Sequence, residues 1–133
     1  MSWAALFPGQ GSQSVGMGKF LVENFPSAKH RFEEASDCLK INFKKLCFEG
    51  PESELVKTEN TQPCLLLVST ATEQVVRESL GIQWSAAAGH SIGEYAACVA
   101  AGAMSFTSAL QAVRQRGQAM QRPLAKKRVL IVQ

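Results

Sequence analysis

A serine lies between two glycines in the pattern Gly-x-Ser-x-Gly at residues 89–93. The small, apolar run before it, residues 84–88, predicts a buried strand, and residues 92–101 predict a helix that ends at Gly102. Ser91 would then stand on the sharp turn between a strand and a helix, with its hydroxyl exposed and the free amides of a helix N-terminus beside it. That position suits covalent catalysis, in which the hydroxyl attacks an acyl group. The alternative is a glycine-rich turn whose serine has no catalytic role.

A second glycine-rich segment, FPGQGSQ, occupies residues 7–13 and follows a short apolar run, residues 3–7, that predicts a strand. Its glycines do not have the spacing of a nucleotide-binding loop. Ser14 stands where a dinucleotide fingerprint needs its third glycine, and the Gly18-Lys19 pair has no correctly spaced glycine before it. The sequence therefore argues against a phosphate cradle.

The other elements that must position these two loops are mostly helices. Apolar spacing predicts a surface helix over residues 26–39 and a short helical turn over residues 51–55. A long helix is predicted to start with Thr61 as its cap, with proline in its first turn, and to run to Leu80. A last helix is predicted over residues 106–121, capped by Ser105.

Length and composition indicate one globular domain with a core. The chain has 133 residues, of which 46% are hydrophobic and 19% are charged. Four of its 14 basic residues lie in the last dozen positions, so residues 1–121 carry ten basic and 11 acidic side chains. This nearly neutral body predicts no nucleic-acid partner, and the basic tail is expected to be solvated.

The cysteine spacing argues against a metal-binding protein, and the apolar runs argue against a secreted or membrane-spanning protein. The four cysteines show neither a C-x-x-C pair nor a histidine at metal-ligand spacing, so we expect no metal site and small apolar packing roles. The first residues lack the basic and apolar regions of a signal peptide, and no apolar run approaches the ~18 residues that a membrane span needs. The sequence predicts a soluble, cytoplasmic protein without a membrane partner.

Four segments together resemble one known family, the malonyl-CoA:acyl-carrier-protein transacylases, and also the acyltransferase domains of polyketide and animal-type fatty acid synthases. The segments occur in the same order and at similar intervals: FPGQGSQ at residues 7–13, TQP at 61–63, GHSIGEY at 89–95 and RGxxMQ at 116–121. The resemblance implies an α/β class with an α/β hydrolase-like parallel sheet and flanking helices. It covers residues 3–121, which we interpret as the N-terminal part of the large subdomain of the acyltransferase.

The resemblance assigns chemistry to individual residues. Ser91 would be the nucleophile, and the backbone amides of Gln10 and Ile92 would bind the oxyanion that forms on the thioester carbonyl. Arg116 corresponds to the arginine that holds the malonyl carboxylate with two parallel hydrogen bonds. Gln62 corresponds to a glutamine that lines the pocket, although a helix-start residue that satisfies backbone groups is an alternative.

Other basic side chains receive lesser roles. His90 adjoins Ser91, but neighbouring side chains on an elbow point in different directions, so we expect packing behind the elbow rather than a general base. By the resemblance, His90 could contact substrate. His30 and Arg114 are interpreted as surface residues of their helices.

An isoleucine directly after Ser91 fits the malonyl-selective pattern, because relatives that prefer a methyl-branched substrate often carry glutamine there.

The sequence departs from the family at its end. Members are much longer, pass into a ferredoxin-like subdomain and supply a histidine base from a later part of the fold, so the resemblance implies an incomplete fold without that base. Residues 122–133 form a divergent tail that is first basic and then apolar. Residues 129–132 are either a strand or an unrelated end. An incomplete sheet is expected to leave an exposed edge and an uncovered apolar face.

Three functions remain open from the sequence. The first is transfer of malonyl from malonyl-CoA, a coenzyme A thioester that acts as substrate rather than as bound cofactor, to the phosphopantetheine thiol of acyl carrier protein. The second is a serine esterase or thioesterase that uses the same elbow, for which Arg116 and the first loop would be irrelevant. The third is a non-catalytic remnant that at most binds acyl carrier protein.

Overall fold

A computed structural model describes residues 2–122. Those residues form two strands and seven helices, in the order β1 (Trp3–Phe7), α1 (Lys19–Asn24), α2 (Pro26–Leu39), α3 (Phe43–Phe48), α4 (Glu52–Leu55), α5 (Thr58–Leu80), β2 (Trp84–Gly89), α6 (Gly93–Ala100) and α7 (Phe106–Gln121). The strands are parallel and the helices flank them, which confirms the predicted α/β class. The strand predicted for residues 129–132, like most of the tail, lies outside the described residues.

The register of the sheet places two loops side by side. Strand β1 pairs with β2 so that Ala5 faces Ala87 and Phe7 faces Gly89. The two strands therefore end at the same edge of the sheet, and the glycine-rich loop after β1 and the elbow after β2 leave it together.

One part of the sheet has no cover within the described residues. Along β1, Ala5 and Phe7 are buried whereas Leu6 is 78% exposed. Beside this strand an open apolar cavity of about 400 Å³ lies between β1 and α5. The exposed edge and apolar face that were expected of an incomplete sheet are both present.

Helix α5 forms the centre of the core. It packs against α2 and α7, and its contacts with α7 are the most extensive between any two described elements. The largest fully buried apolar side chains of this core include Phe32 on α2, Phe43 on α3, Leu66 and Leu67 on α5, and Leu110 and Val113 on α7. Burial of each contributes roughly 1.5–3 kcal/mol to stability. No helix among residues 2–122 combines the length and the apolar character required to cross a membrane.

A buried carboxylate ties the start of β2 to α5. Glu73 is only 8% exposed. It accepts hydrogen bonds from the indole nitrogen of Trp84 at 2.7 Å and from Nε of Arg77 at 2.8 Å. Because both donors pair with its charge, Glu73 can be buried on α5. Its hydrogen bond to Trp84 then aligns the strand that leads to the elbow.

The predicted start of the long helix was wrong. Helix α5 begins at Thr58, so Thr61 is inside it, and Pro63 is its sixth residue rather than part of its first turn. The hydroxyl of Thr61 donates to the carbonyls of Leu55 and Lys57 instead of capping an amide. The helix tolerates the internal proline because Arg114, from α7, donates to the carbonyl that proline leaves without a helical partner.

Gly117 sets the closeness of α7 to α5. A Cβ at this position would lie 2.8 Å from Cα of Glu59 and 2.9 Å from the carbonyl oxygen of Thr58. Both are backbone atoms, so neither can turn aside. The absence of a side chain at Gly117 is therefore what lets α7 pack directly on the first turn of α5.

Replacing Gly117 by alanine is expected to lower the free energy of unfolding by about 1–2 kcal/mol, because the collision outweighs the ~1 kcal/mol that alanine contributes to helix propensity. Chemical denaturation of Gly117→Ala would measure this change in the free energy of unfolding. The control is Gln118→Ala on the exposed side of the same helix, which should be neutral or slightly stabilising. A Gly117→Ala variant more stable than the parent would show that a methyl group fits between the two helices without a collision.

Candidate active site

Ser91 is exposed and has an uncommon backbone conformation. Its φ is 53°, in the left-handed region that non-glycine residues seldom adopt, and the residue is exposed. The amide of Gly93 donates to the carbonyl of His90 at 2.9 Å, and the amide of Glu94 donates to that of Ser91 at 3.0 Å. These hydrogen bonds hold the turn, so the hydroxyl is presented at the junction of β2 and α6.

The two glycines of the elbow have no room for a side chain. A Cβ on Gly89 would collide with the carbonyl group of Gly93, and a Cβ on Gly93 would collide with the carbonyl oxygen of Phe7 and lie 2.8 Å from that of Pro8. Strand, elbow and first loop therefore touch through their backbones. The spacing of these glycines is a steric requirement of the turn.

The first loop lies alongside the elbow. The amide of His90 donates to the carbonyl of Phe7 at 3.2 Å. A Cβ on Gly9 would be 2.7 Å from Nδ1 of His90, so this glycine allows the loop to lie against the histidine ring. The side chain of Gln10 donates to the hydroxyl of Thr58 at 3.2 Å, which attaches the loop to the first residue of α5.

Two backbone amides flank this junction, at Gln10 and at Ile92. Neither donates a hydrogen bond to another group within residues 2–122. The side chain of Ile92 is 1% exposed and packs in the core, which anchors the residue that follows the serine. Both N–H groups are therefore without a hydrogen-bond acceptor in the part of the chain that the structure describes.

Arg116 connects the serine to two helices. Its Nη2 donates to Oγ of Ser91 at 3.0 Å, and its Nη1 donates to Oε1 of Gln62 at 3.0 Å. The guanidinium carbon lies 5.9 Å from the ring centre of Tyr95. A half-buried cation is thus held beside the hydroxyl, with one guanidinium nitrogen on Ser91 and the other on Gln62.

Gln62 is a buried partner of this arginine. It is 1% exposed, accepts from Arg116, and donates through Nε2 to Sδ of Met120 at 3.2 Å. Within residues 2–122 the recorded hydrogen bonds of its side chain go to α7 and not to backbone groups at a helix start, which contradicts that alternative.

Neither histidine meets the serine. The ring of His90 faces Gly9, and within residues 2–122 no hydrogen bond joins it to Ser91; His30 is exposed on α2. The side chain that does reach Oγ is Arg116, which stays protonated and cannot accept a proton.

The interpretation of Arg114 as a surface residue was wrong. It is half-buried, and its Nη1 donates to the carbonyl oxygen of Glu59 at 2.6 Å and to Oδ1 of Asn60 at 2.9 Å. The signal that could have found it is Pro63 inside the helix, because a proline deprives the carbonyl four residues earlier of its donor.

The cysteines do not form part of the site. Cys47 and Cys64 are buried, and Cys38 and Cys98 are half-buried. The hydrogen bond to Cys47, together with burial, raises the pKa of the Cys64 thiol well above its usual value. A thiol held in its neutral form is a poor nucleophile.

Comparison with known proteins identifies relatives of this chain. Residues 5–129 match the family model described as the acyl transferase domain. Over 118 residues, or 89% of this chain, the sequence is 52% identical to a malonyl CoA-acyl carrier protein transacylase from Bacillus subtilis, of which it covers 30%. The Escherichia coli K12 protein of the same name is 43% identical over 90% of this chain and 38% of its own length.

Solved structures show the same similarity. An acyl-carrier-protein S-malonyltransferase from Burkholderia pseudomallei superposes with a TM-score of 0.86 at 47% identity, covering 91% of this chain and 39% of that one. A malonyl-transacylase in complex with a type II PKS acyl-carrier protein gives 0.86 at 46% identity, with coverages of 91% and 39%. The chain thus spans between 30% and 39% of the length of these relatives. The family match and the high-identity relatives together show that this chain belongs to the acyltransferase-domain family, and that it corresponds to the N-terminal part of the malonyl-CoA:acyl-carrier-protein transacylases.

Proposed function

We propose that this chain carries the nucleophile and the carboxylate clamp of a malonyl transfer from malonyl-CoA to acyl carrier protein, in fatty acid or polyketide synthesis. The observation that carries the proposal is the 3.0 Å hydrogen bond between Nη2 of Arg116 and Oγ of Ser91. It places a carboxylate-binding cation next to an exposed hydroxyl, and malonyl thioesters have a carboxylate beside the carbonyl that is attacked.

The first half-reaction forms an ester on the protein. Oγ of Ser91 bonds to the thioester carbonyl carbon and loses its proton, the carbon–sulfur bond breaks, and coenzyme A leaves as its thiol. The negative charge that develops on the carbonyl oxygen would be received by the amides of Gln10 and Ile92. In the second half-reaction the phosphopantetheine thiol of acyl carrier protein attacks the ester and regenerates the serine.

Arg116 would exchange partners when substrate binds. In this structure its two nitrogens donate to Ser91 and Gln62. A malonyl carboxylate would take at least one of these donors, so Oγ is released as the substrate is clamped. Gln62, which is buried, would keep the guanidinium in place throughout.

The proton of Ser91 needs a base that the described residues do not bring to Oγ. His90 faces the first loop, and arginine cannot act as a base. We therefore propose that the base lies outside residues 2–122, as the resemblance to the family implies, and we expect the isolated chain to acylate slowly.

The test is incubation of the purified chain with labelled malonyl-CoA, followed by proteolysis and mass spectrometry. We expect the label on Ser91, its loss in Ser91→Ala, and its transfer to holo acyl carrier protein with ping-pong kinetics. Ser105→Ala, at the cap of α7, is the matched control and should label normally. If the parent chain takes no label, malonyl transfer is refuted for this chain and the non-catalytic alternative stands.

A further inference from the structure

Helix α5 contains a backbone defect close to the site. Pro63 has no N–H, so the carbonyl of Glu59, four residues earlier, cannot receive the usual helical hydrogen bond. Nη1 of Arg114, 55 residues further along the chain, donates to that carbonyl at 2.6 Å and also to Oδ1 of Asn60 at 2.9 Å. A side chain of α7 thus takes the place of a missing backbone donor.

The same two turns of α5 contact most of the candidate site. Gln62, the residue before the proline, holds Nη1 of Arg116, and Thr58 accepts the hydrogen bond from Gln10 of the first loop. Any unwinding around Glu59 would move both partners. Because Gly117 lets α7 approach these turns directly, the guanidinium of Arg114 reaches the carbonyl while remaining half-buried.

We propose that Arg114 is a positioning residue: by donating to the carbonyl that Pro63 leaves free, it holds the turn of α5 that sets Gln62 against Arg116, and so aligns the clamp with Ser91. Its effect on acylation rests on the proposed function, whereas its effect on the conformation of Arg116 does not. A residue that stabilised the fold only through other contacts would be indifferent to whether position 63 carries an N–H.

A double-mutant cycle tests the coupling between the two positions. Pro63→Ala restores the backbone donor to Glu59, so Arg114→Met should lower the denaturation midpoint of the parent but lower it by less than half as much in the Pro63→Ala background. Arg122→Met, at the exposed end of α7, should leave the denaturation midpoint unchanged in both backgrounds. An equal loss in both backgrounds would overturn the proposal.

Nitrogen-15 NMR of the Arg116 side chain tests the positioning itself. We expect rotation of its guanidinium to become at least about threefold faster in Arg114→Met, because the hydrogen bond to Gln62 is loosened, and to return to the parental rate when Pro63→Ala is added. Unchanged Arg116 signals in a destabilised Arg114→Met variant would show a purely structural role and refute the proposal.

Acylation of Ser91, measured on the same samples, tests the consequence for the reaction. The rate at saturating malonyl-CoA should fall roughly tenfold in Arg114→Met and recover in the double variant. A folded Arg114→Met variant that acylates at the parental rate would refute the role in the reaction. Failure of the parent chain to acylate would count against the proposed function alone, since the cycle and the NMR signals judge the positioning independently.

Discussion

Arg116→Ala is expected to slow acylation of Ser91 by malonyl-CoA roughly 100- to 1,000-fold. Two charge-assisted hydrogen bonds to the substrate carboxylate are worth about 3–4 kcal/mol together, and each 1.36 kcal/mol corresponds to a tenfold change in rate. The initial rate of label incorporation into Ser91 measures this loss. The variant should remain folded, since Arg116 is only half-buried and its removal leaves the packing of α5 on α7 in place.

Substrate choice separates the clamp from general damage to the site. Acetyl-CoA has no carboxylate, so its slow acylation should change far less in Arg116→Ala than that of malonyl-CoA. Arg116→Lys keeps the charge but loses the planar fork and should recover only part of the rate. Arg122→Ala is the control for loss of a cation at the C-terminal end of α7. If malonyl transfer to Ser91 is insensitive to Arg116, the esterase or thioesterase alternative is favoured.

Gly89→Ala is expected to remove at least about 3 kcal/mol from the free energy of unfolding, a large part of the 5–15 kcal/mol that a typical domain has. The added Cβ would collide with backbone atoms of Gly93 and Glu94, which cannot rotate away. The elbow would have to open, and the hydroxyl of Ser91 would move from Arg116. Chemical denaturation and labelling of Ser91 would both report the change.

Gly81→Ala serves as the comparison variant for Gly89→Ala, because it introduces backbone strain without a steric collision. Gly81 has a φ of 61° and open space around it, so alanine there incurs backbone strain of about 1–2 kcal/mol without any collision. The difference between the two variants isolates the steric requirement of the elbow. Equal losses at positions 81 and 89 would mean that the turn relaxes easily and that its glycines are not essential.

Local sequence patterns were sufficient to predict the bounds of several secondary-structure elements. The predicted strand at residues 3–7 and the helices at residues 26–39 and 106–121 have the bounds that the structure shows, since apolar periodicity and flanking proline or serine operate within one element. The helix after the elbow differs by one residue at each end. The short helices α1 and α3 were not predicted, because six residues are too few for a periodicity to stand out.

The sequence by itself determined the chemistry available to this protein. Gly-x-Ser-x-Gly predicted a tight strand-to-helix turn, because glycines lack the side chains that would block a close backbone approach. The four motifs in order then identified the family, and the superposition with its solved members agrees.

Only the tertiary structure decided which side chains meet. Ser91, Gln62 and Arg116 come from an elbow and two helices, and no local pattern specifies the 3.0 Å contacts between them. The start of α5 was mispredicted for the same reason: a proline inside a helix is tolerated when a distant arginine donates the missing hydrogen bond. Such compensation depends on how α7 packs on α5, which is a property of the folded chain rather than of any segment of it.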